Sequence, residues 1–446
     1  MSGRAGRRRL VLHLDINNTV LPADTVTGRG PREALNGFLC TATWGRDGEG
    51  GEWQWVSDRP SLRAPCPDAV SYYCRYGRDL AFTEGGAGQR FGDLHARYLR
   101  LLAWPGEPHE ELSLRDGQGE CYHLLLPSFY HLLDALHRDG RAFAIIFRTF
   151  GTDLPRVLRA LRCALDGQHP QFPALRDLEL SVDLTPGQIR CSKREVVLRR
   201  GAERLATRED GRKLYDYFSS LEGVGGFQDH YDWWARNQFS SRGGKPLWID
   251  PHDPSVHHIF IDDNICLDDT DTIVCPLEPG AAVGRLEVAE LLPGSCVGLF
   301  LGGVPATQRD ELVPSQKSHL GGRGHPEKLH LLPLECNRDP CPLPPARFVG
   351  DTVSWKPRME AGSPPAGCGC FFALLSPQVF SERGSSSPRC APTSELYDVC
   401  LVRTDLLEAI TDKDYFLRCV RRCEENYDRY LARMGSSSPS QQCDAQ

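Results

Sequence analysis

The clearest order in this chain is a set of short, nearly continuous apolar runs, with stretches between them whose apolar residues recur at helical spacing. Leu10, Val11, Leu12 and Leu14 make the first run, within Arg9–Leu14. Residues 142–147 (AFAIIF) make the second and 257–262 (HHIFID) the third, while Thr272–Val274 offer a short fourth. Runs of this kind suit parallel strands buried on both faces. Phe129, Leu132, Leu133 and Leu136 line one helix face, with Ser128 as its expected N-cap and Gly140 just past its end, where a left-handed residue is favoured. A second helix is expected over Asp153–Leu165, with Leu154, Val157, Leu158, Leu161 and Leu165 on one side. Its Pro155 falls near the start, where a missing N–H is harmless. Helix, strand and helix in alternation predict an α/β fold built on a parallel sheet.

Elsewhere the pattern is weaker. Residues 26–120 carry Trp44, Trp53 and Trp55 but little periodicity, apart from Phe91, Leu94, Tyr98 and Leu101 at helical spacing. Residues 191–222 are charged and expected to be helical in part. From about 280 to 392 Pro, Gly, Ser and Cys dominate, as in PCPLPPAR and SERGSSSPR. Order resumes at Tyr397–Arg403 (YDVCLVR, strand-like) and in a helical stretch at 404–434. The expected organisation is therefore a first core strand within 1–25, an insertion at 26–120, the main core at 121–279, a low-order insertion at 280–392, a closing strand and helix at 393–434, and a disordered tail at 435–446.

Composition narrows the class. With 446 residues, 40% hydrophobic and 25% charged, the chain has ordinary globular usage and length enough for several domains. The formal charge of −7 argues against a general nucleic-acid binder, which would carry a basic excess. No run approaches the roughly 18 apolar residues of a membrane span. The few apolar residues between Arg9 and Asp15 are too few for a signal peptide. Arg4, Arg7, Arg8 and Arg9 read as a solvated terminus rather than an address. A cytoplasmic protein is expected, its 18 cysteines mostly reduced rather than a disulfide scaffold.

Four fragments carry candidate chemistry. Asp15 ends the first strand in HLDINNTVL, Thr149 follows the second in IIFRTFG, Lys245 stands in SRGGKPLW, and Asp262 and Asp263 end the third in HHIFIDDNI. In an open parallel sheet, chemistry collects at the carboxyl ends of strands. The residue types suit phosphoryl transfer. A carboxylate attacks phosphorus only if charge is neutralised, and magnesium prefers hard carboxylate oxygens. Lys245 would balance the nucleophile and the phosphoryl charge, and Thr149 would hold a phosphoryl oxygen.

In these fragments the sequence resembles the haloacid dehalogenase-like superfamily, and HHIFIDDNI looks like a poorly characterised eukaryotic branch of it. The resemblance implies a Rossmann-like, doubly wound core with Asp15 as nucleophile and an aspartyl-phosphate intermediate. Thr149 and Lys245 would be its partners, and Mg2+ would be held by Asp15, Asp262, Asp263 and the backbone carbonyl of Asn17. The long gap between Asp15 and Thr149 resembles members with a cap domain inserted there. A small phosphorylated substrate is implied, with no nucleic acid and no membrane. One departure stands out: phosphatases of this superfamily carry an acid/base aspartate two residues after the nucleophile, where this chain has Asn17. Losing such a group costs about 10²–10⁴-fold. The implied function is a magnesium-dependent phosphate-ester hydrolase or phosphoryl transferase, and the alternative is a catalytically silent phosphate- or metal-binding module of the same fold.

Plainer readings compete with each of these. Asp15 and Thr19 can cap a loop, Thr149 can be an ordinary turn residue, and Lys193 and Lys213 rival Lys245. His257 and His258 are adjacent on a strand and point to opposite faces, which disfavours a shared zinc. Cys336, Cys341, Cys368 and Cys370 do not repeat a zinc framework. Cys419 and Cys423 are expected to pack, and Trp233 and Trp234 to serve a core more readily than a pocket wall. The 280–392 segment is a candidate docking region for a protein partner. Replacing it by a short Gly/Ser bridge should leave the melting temperature nearly unchanged. A cooperative loss of folding would mark it as an integral domain.

Overall fold

The computed structural model describes residues 7–24, 28–208, 210–250, 253–279 and 392–436. These all belong to one compact unit. The 280–392 insertion, apart from Pro392, lies outside the described residues, as do Cys336, Cys341, Cys368 and Cys370 and the chain beyond Ser436.

An eight-stranded sheet organises the fold. Its strands are β1 (Arg9–Leu14), β2 (Phe143–Thr149), β3 (Gly187–Cys191), β4 (Val196–Arg200), β5 (Glu203–Ala206), β6 (Gly223–Gln228), β8 (Val256–Asp262) and β10 (Leu401–Arg403). Two further strands, β7 (Lys245–Trp248) and β9 (Val274–Leu277), pair only with each other. The spatial order is β5-β4-β3-β6-β2-β1-β8-β10. From β3 through β10 every neighbouring pair is parallel, whereas β3, β4 and β5 form an antiparallel edge. Small sheets at 44–71 and 113–123 complete the strand content of the described residues.

The central strands alternate between the two faces of the sheet, as period-two geometry demands. Leu10, Leu12, Leu14, Ile145, Phe147, Ile259 and Ile261 point into the larger cluster, while Val11 and Ile146 enter a second one on the opposite face and Phe260 a third. Helices α3 (Pro127–Arg138), α4 (Leu154–Cys163) and α7 (Tyr415–Ser436) supply the larger cluster, and α5 (Arg212–Ser220) supplies the second through Leu214, Tyr215 and Phe218. Helices α1 (Pro31–Ala42) and α2 (Gly92–Leu102), from the 26–120 stretch, bury Leu35, Leu39, Leu99 and Leu102 in that same larger cluster. Helix α6 (Leu406–Thr411) adds Leu406 and Leu407.

Several expectations change in detail. The 191–222 stretch is helical only at Arg212–Ser220, and its first half is the antiparallel edge. Strand β6 (GVGGFQ) went unpredicted because glycines replace its apolar side chains. A Cβ on Gly226 would overlap Leu154 and stand 3.0 Å from Phe147 Cβ, so helix α4 approaches that bare backbone closely. Ser128 is not an N-cap. Leu126 holds that place, and the Ser128 hydroxyl donates to Ala409 O at 2.6 Å. The expected fourth strand begins at Val274 and lies outside the main sheet. In α2 the buried residues are His95, Leu99 and Leu102, with Leu101 exposed. The strand-like 397–403 run is extended only at Leu401–Arg403, and helix α7 carries two residues of the predicted tail. Among the described residues, no helix is long and apolar enough to cross a membrane, and every cysteine is free.

Candidate metal centre

Strands β1 and β8 are parallel neighbours in a register that pairs Leu14 with Ile261. Both apolar runs therefore stop at the same sheet edge, and the next residue of each is an aspartate. The Asp15 N–H donates to Ile261 O at 2.9 Å, which sets Asp15 beside Asp262. The chain then turns sharply: Thr19, Val20 and Leu21 all donate to Ile16 O, and Asn18 takes a left-handed φ of 56°, which asparagine tolerates. Thr19 is buried and contacts Thr404, its hydroxyl 3.3 Å from that of Thr404.

Lys245 opens β7 and reaches this edge from outside the sheet. Its ammonium donates to Asp15 Oδ1 at 2.6 Å, to Asp262 Oδ2 at 2.8 Å and to Arg148 O at 3.1 Å. Lys245 and Asp262 are essentially inaccessible and Asp15 nearly so. Asp262 Oδ1 accepts the Asn264 N–H at 2.9 Å, and Asp263, half-buried, accepts from the Asn264 amide at 2.7 Å. Asp15, Asp262 and Asp263 each offer an oxygen, and these lie within 4.8 Å of one another.

The sequence did not reveal how Lys245 is held there. Arg148, fully buried on β2, forks onto Asp229 at 2.9 and 2.6 Å and donates to Pro246 O at 3.1 Å, which ties β7 to the sheet. His13 approaches Arg148 at 3.3 Å and His258 at 3.2 Å, and His258 contacts the Ser219 hydroxyl at 2.9 Å. Burial, then Arg148, drives the His13 pKa well below its ordinary value, and burial lowers that of His258 to about 3. His257 sits on the other side of β8 and contacts Val399 O at 2.8 Å, so the two histidines do part company.

Three carboxyl groups share one ammonium in a buried place, so their ionised forms are disfavoured. Burial raises the Asp15 carboxyl most, Lys245 draws it back, and Asp262 adds to the rise, leaving it at about 7. Burial and then Asp262 raise Asp263 well above the carboxylate range. For Lys245, burial opposes the charged form, but Asp15 and Asp262 together outweigh it and raise its pKa. An all-oxygen set of three clustered carboxyl groups can hold a metal cation, which would displace their protons.

Thr149 ends β2, next to the Arg148 carbonyl that receives Lys245, and its hydroxyl oxygen accepts the Gly151 N–H at 2.9 Å. The hydroxyl proton stays available to another acceptor. Asn17 donates to Asp153 Oδ2 at 3.1 Å, and its own side-chain oxygen is buried without a partner. Burial raises the Asp153 carboxyl, with Asn17 opposing. Asp153 was read from sequence only as a helix start, and its link to Asn17 carries no sequence signal. Lys193 and Lys213, the rivals of Lys245, lie on the antiparallel edge and on α5. Trp234 stacks on Phe150 and donates to Thr272 O, a packing role. A larger cavity of about 280 Å³ opens at the amino ends of the strands, near Arg9, Phe143 and Gly223, away from this centre. In comparisons with known proteins, no family model, curated protein or solved structure matches the chain.

Two outcomes follow from the charge arrangement. Lys245→Met leaves Asp15 and Asp262 buried without their cation and should cost about 3–5 kcal/mol in urea unfolding of the metal-free protein. The second concerns pH. The ordinary carboxyl pKa is 3.8, so between about pH 4 and pH 7 the folded chain keeps a proton on Asp15 that the unfolded chain has lost. Metal-free stability should therefore fall as pH rises through that window. Millimolar Mg2+ should raise the melting temperature more at about pH 8 than at about pH 5, and an equal rise at both would contradict the charge argument.

Proposed function

We propose that this chain is a magnesium-dependent phosphate-ester hydrolase or phosphoryl transferase of the haloacid dehalogenase-like superfamily, with a Rossmann-like core and a small phosphorylated substrate. The observation that carries this reading is the buried lysine shared by Asp15 and Asp262 at the carboxyl ends of adjacent parallel strands. Asp15 is the nucleophile, whose carboxylate oxygen forms the bond to phosphorus as the ester oxygen leaves. Lys245 favours the ionised form of that carboxylate and aims it, and offsets charge on the phosphoryl group. The Thr149 hydroxyl donates to a phosphoryl oxygen.

Asp15, Asp262, Asp263 and the Asn17 carbonyl would hold the magnesium ion, which neutralises the opposed anions when bound. The 26–120 segment acts as the cap, and the protein works in the cytoplasm. A second reading, a silent phosphate- or metal-binding module, is favoured by one contact: the Asn17 amide, at the acid/base position, is engaged with Asp153.

Hydrolysis of p-nitrophenyl phosphate by the full chain with magnesium separates the two readings, and Asp15→Asn must abolish it. In the active reading, Asn17→Asp restores a carboxyl at the acid/base position and should raise turnover about tenfold or more. No gain in a folded variant, together with silence of the wild type, supports the binding module.

A further inference from the structure

A small cavity of about 60 Å³ begins at Asp263 and extends away from the metal centre under helix α1. Arg29, Arg78 and Arg403, each supplied by a different part of the chain, are among the residues that line it. Among the described residues, none of the three has a carboxylate within ion-pair distance. Arg403 donates to the Asp263 backbone oxygen at 3.3 Å, which fixes its side chain against the centre. The Arg78 stem lies along α1 where Gly37 has no side chain: a Cβ there would touch Arg78 Cδ at 3.7 Å.

Three acidic residues, Asp24, Glu33 and Asp263, also line this cavity. Glu33 accepts the Gly30 N–H at 2.9 Å at its own helix start, and Asp24 has a partner of its own. Asp263 belongs to the metal-type cluster. The acidic groups are thus engaged, and the arginines keep N–H donors with no carboxylate at ion-pair distance, the Arg78 charge acting on Asp263 only through space. Guanidinium groups suit carboxylates and phosphates because their forked donors match two oxygens at once.

Volume limits what can enter. Ordinary ligand pockets run to roughly 300–1,000 Å³, whereas this cavity has room for a few waters. It admits a carboxylate or a phosphoryl group, not a base or an aromatic ring. We propose that this cavity is the subsite for a second anionic group of the substrate, with Arg78 and Arg403 as its binding residues. The substrate class becomes a compact phosphate ester that carries a second anion close to its phosphoryl group. This rests on the phosphoryl-transfer reading of the adjacent centre.

The test is calorimetric titration of the full chain, saturated with magnesium, with methylphosphonate and with phosphonoacetate. The probes share a phosphonate and differ by one carboxylate, and neither can be hydrolysed as an ester. Phosphonoacetate should bind about tenfold or more tighter, the scale of a charge-assisted hydrogen bond. Arg78→Gln, at an exposed position where folding is not at stake, should remove most of that preference, read as the ratio of the two affinities; Arg403→Gln should lower the same ratio. Equal affinity for the two probes, binding of neither, or a preference that survives both substitutions overturns the proposal. An arginine-dependent preference in a protein that hydrolyses no phosphate ester would remove the catalytic reading and leave the anion subsite standing.

Discussion

A single ammonium group, Lys245 Nζ, sits between the carboxylates of Asp15 and Asp262 with almost no access to water. Buried like charges repel strongly, and a cation repays the cost of their desolvation only when its geometry is close. Every element around the centre serves that geometry. The parallel pairing of β1 and β8 brings the two aspartates to one level. Strand β7, outside the sheet, delivers the lysine, and the buried Arg148–Asp229 pair beneath it holds β7 in reach. Asp263 adds a third carboxyl group, within 4.8 Å of the other two, that the lysine does not touch, which completes a set of oxygens able to hold a metal cation.

The same edge gathers parts of the chain that are remote in sequence. Helix α1 and Arg78 come from the segment between β1 and β2, and Arg403 comes from β10, after the long 280–392 stretch. Asn36 bridges to Leu80 O at 2.8 Å and accepts from Thr83, which fixes the loop carrying Arg78 to α1. The 26–120 segment also shares its apolar residues with the core of the sheet. Position and charge at the edge are thus set by the packing of the whole unit, rather than by a loop that could be exchanged freely.

Asp15 and Asp262 were legible from sequence because each ends a continuous apolar run, and such a run commits its last residue to a strand end in a buried sheet. Lys245 was legible only by its order in the chain, since a lysine before a short apolar run usually faces solvent. Asp153 looked like a helix start, and nothing in its surroundings announces the contact with Asn17. Arg148 was hidden for the opposite reason: a charged residue inside a strand reads as exposed, and only Asp229, far along the chain, makes its burial tolerable. Strand β6 was missed because its glycines leave room for Leu154 instead of carrying side chains of their own.

By itself the sequence determined three central strands, β1, β2 and β8, the helices at 127–138 and 154–163, the α/β class, and which acidic residues stand at strand ends. Those properties are local: they depend on the period of apolar positions and on the residues that interrupt it. Only the tertiary structure decided that one lysine bridges two of the three aspartates, that a buried arginine supports it, and that Arg78 and Arg403 stand beside the third. Electrostatic pairing acts across a few ångströms of space, and no periodicity along the chain encodes which distant residues will occupy them.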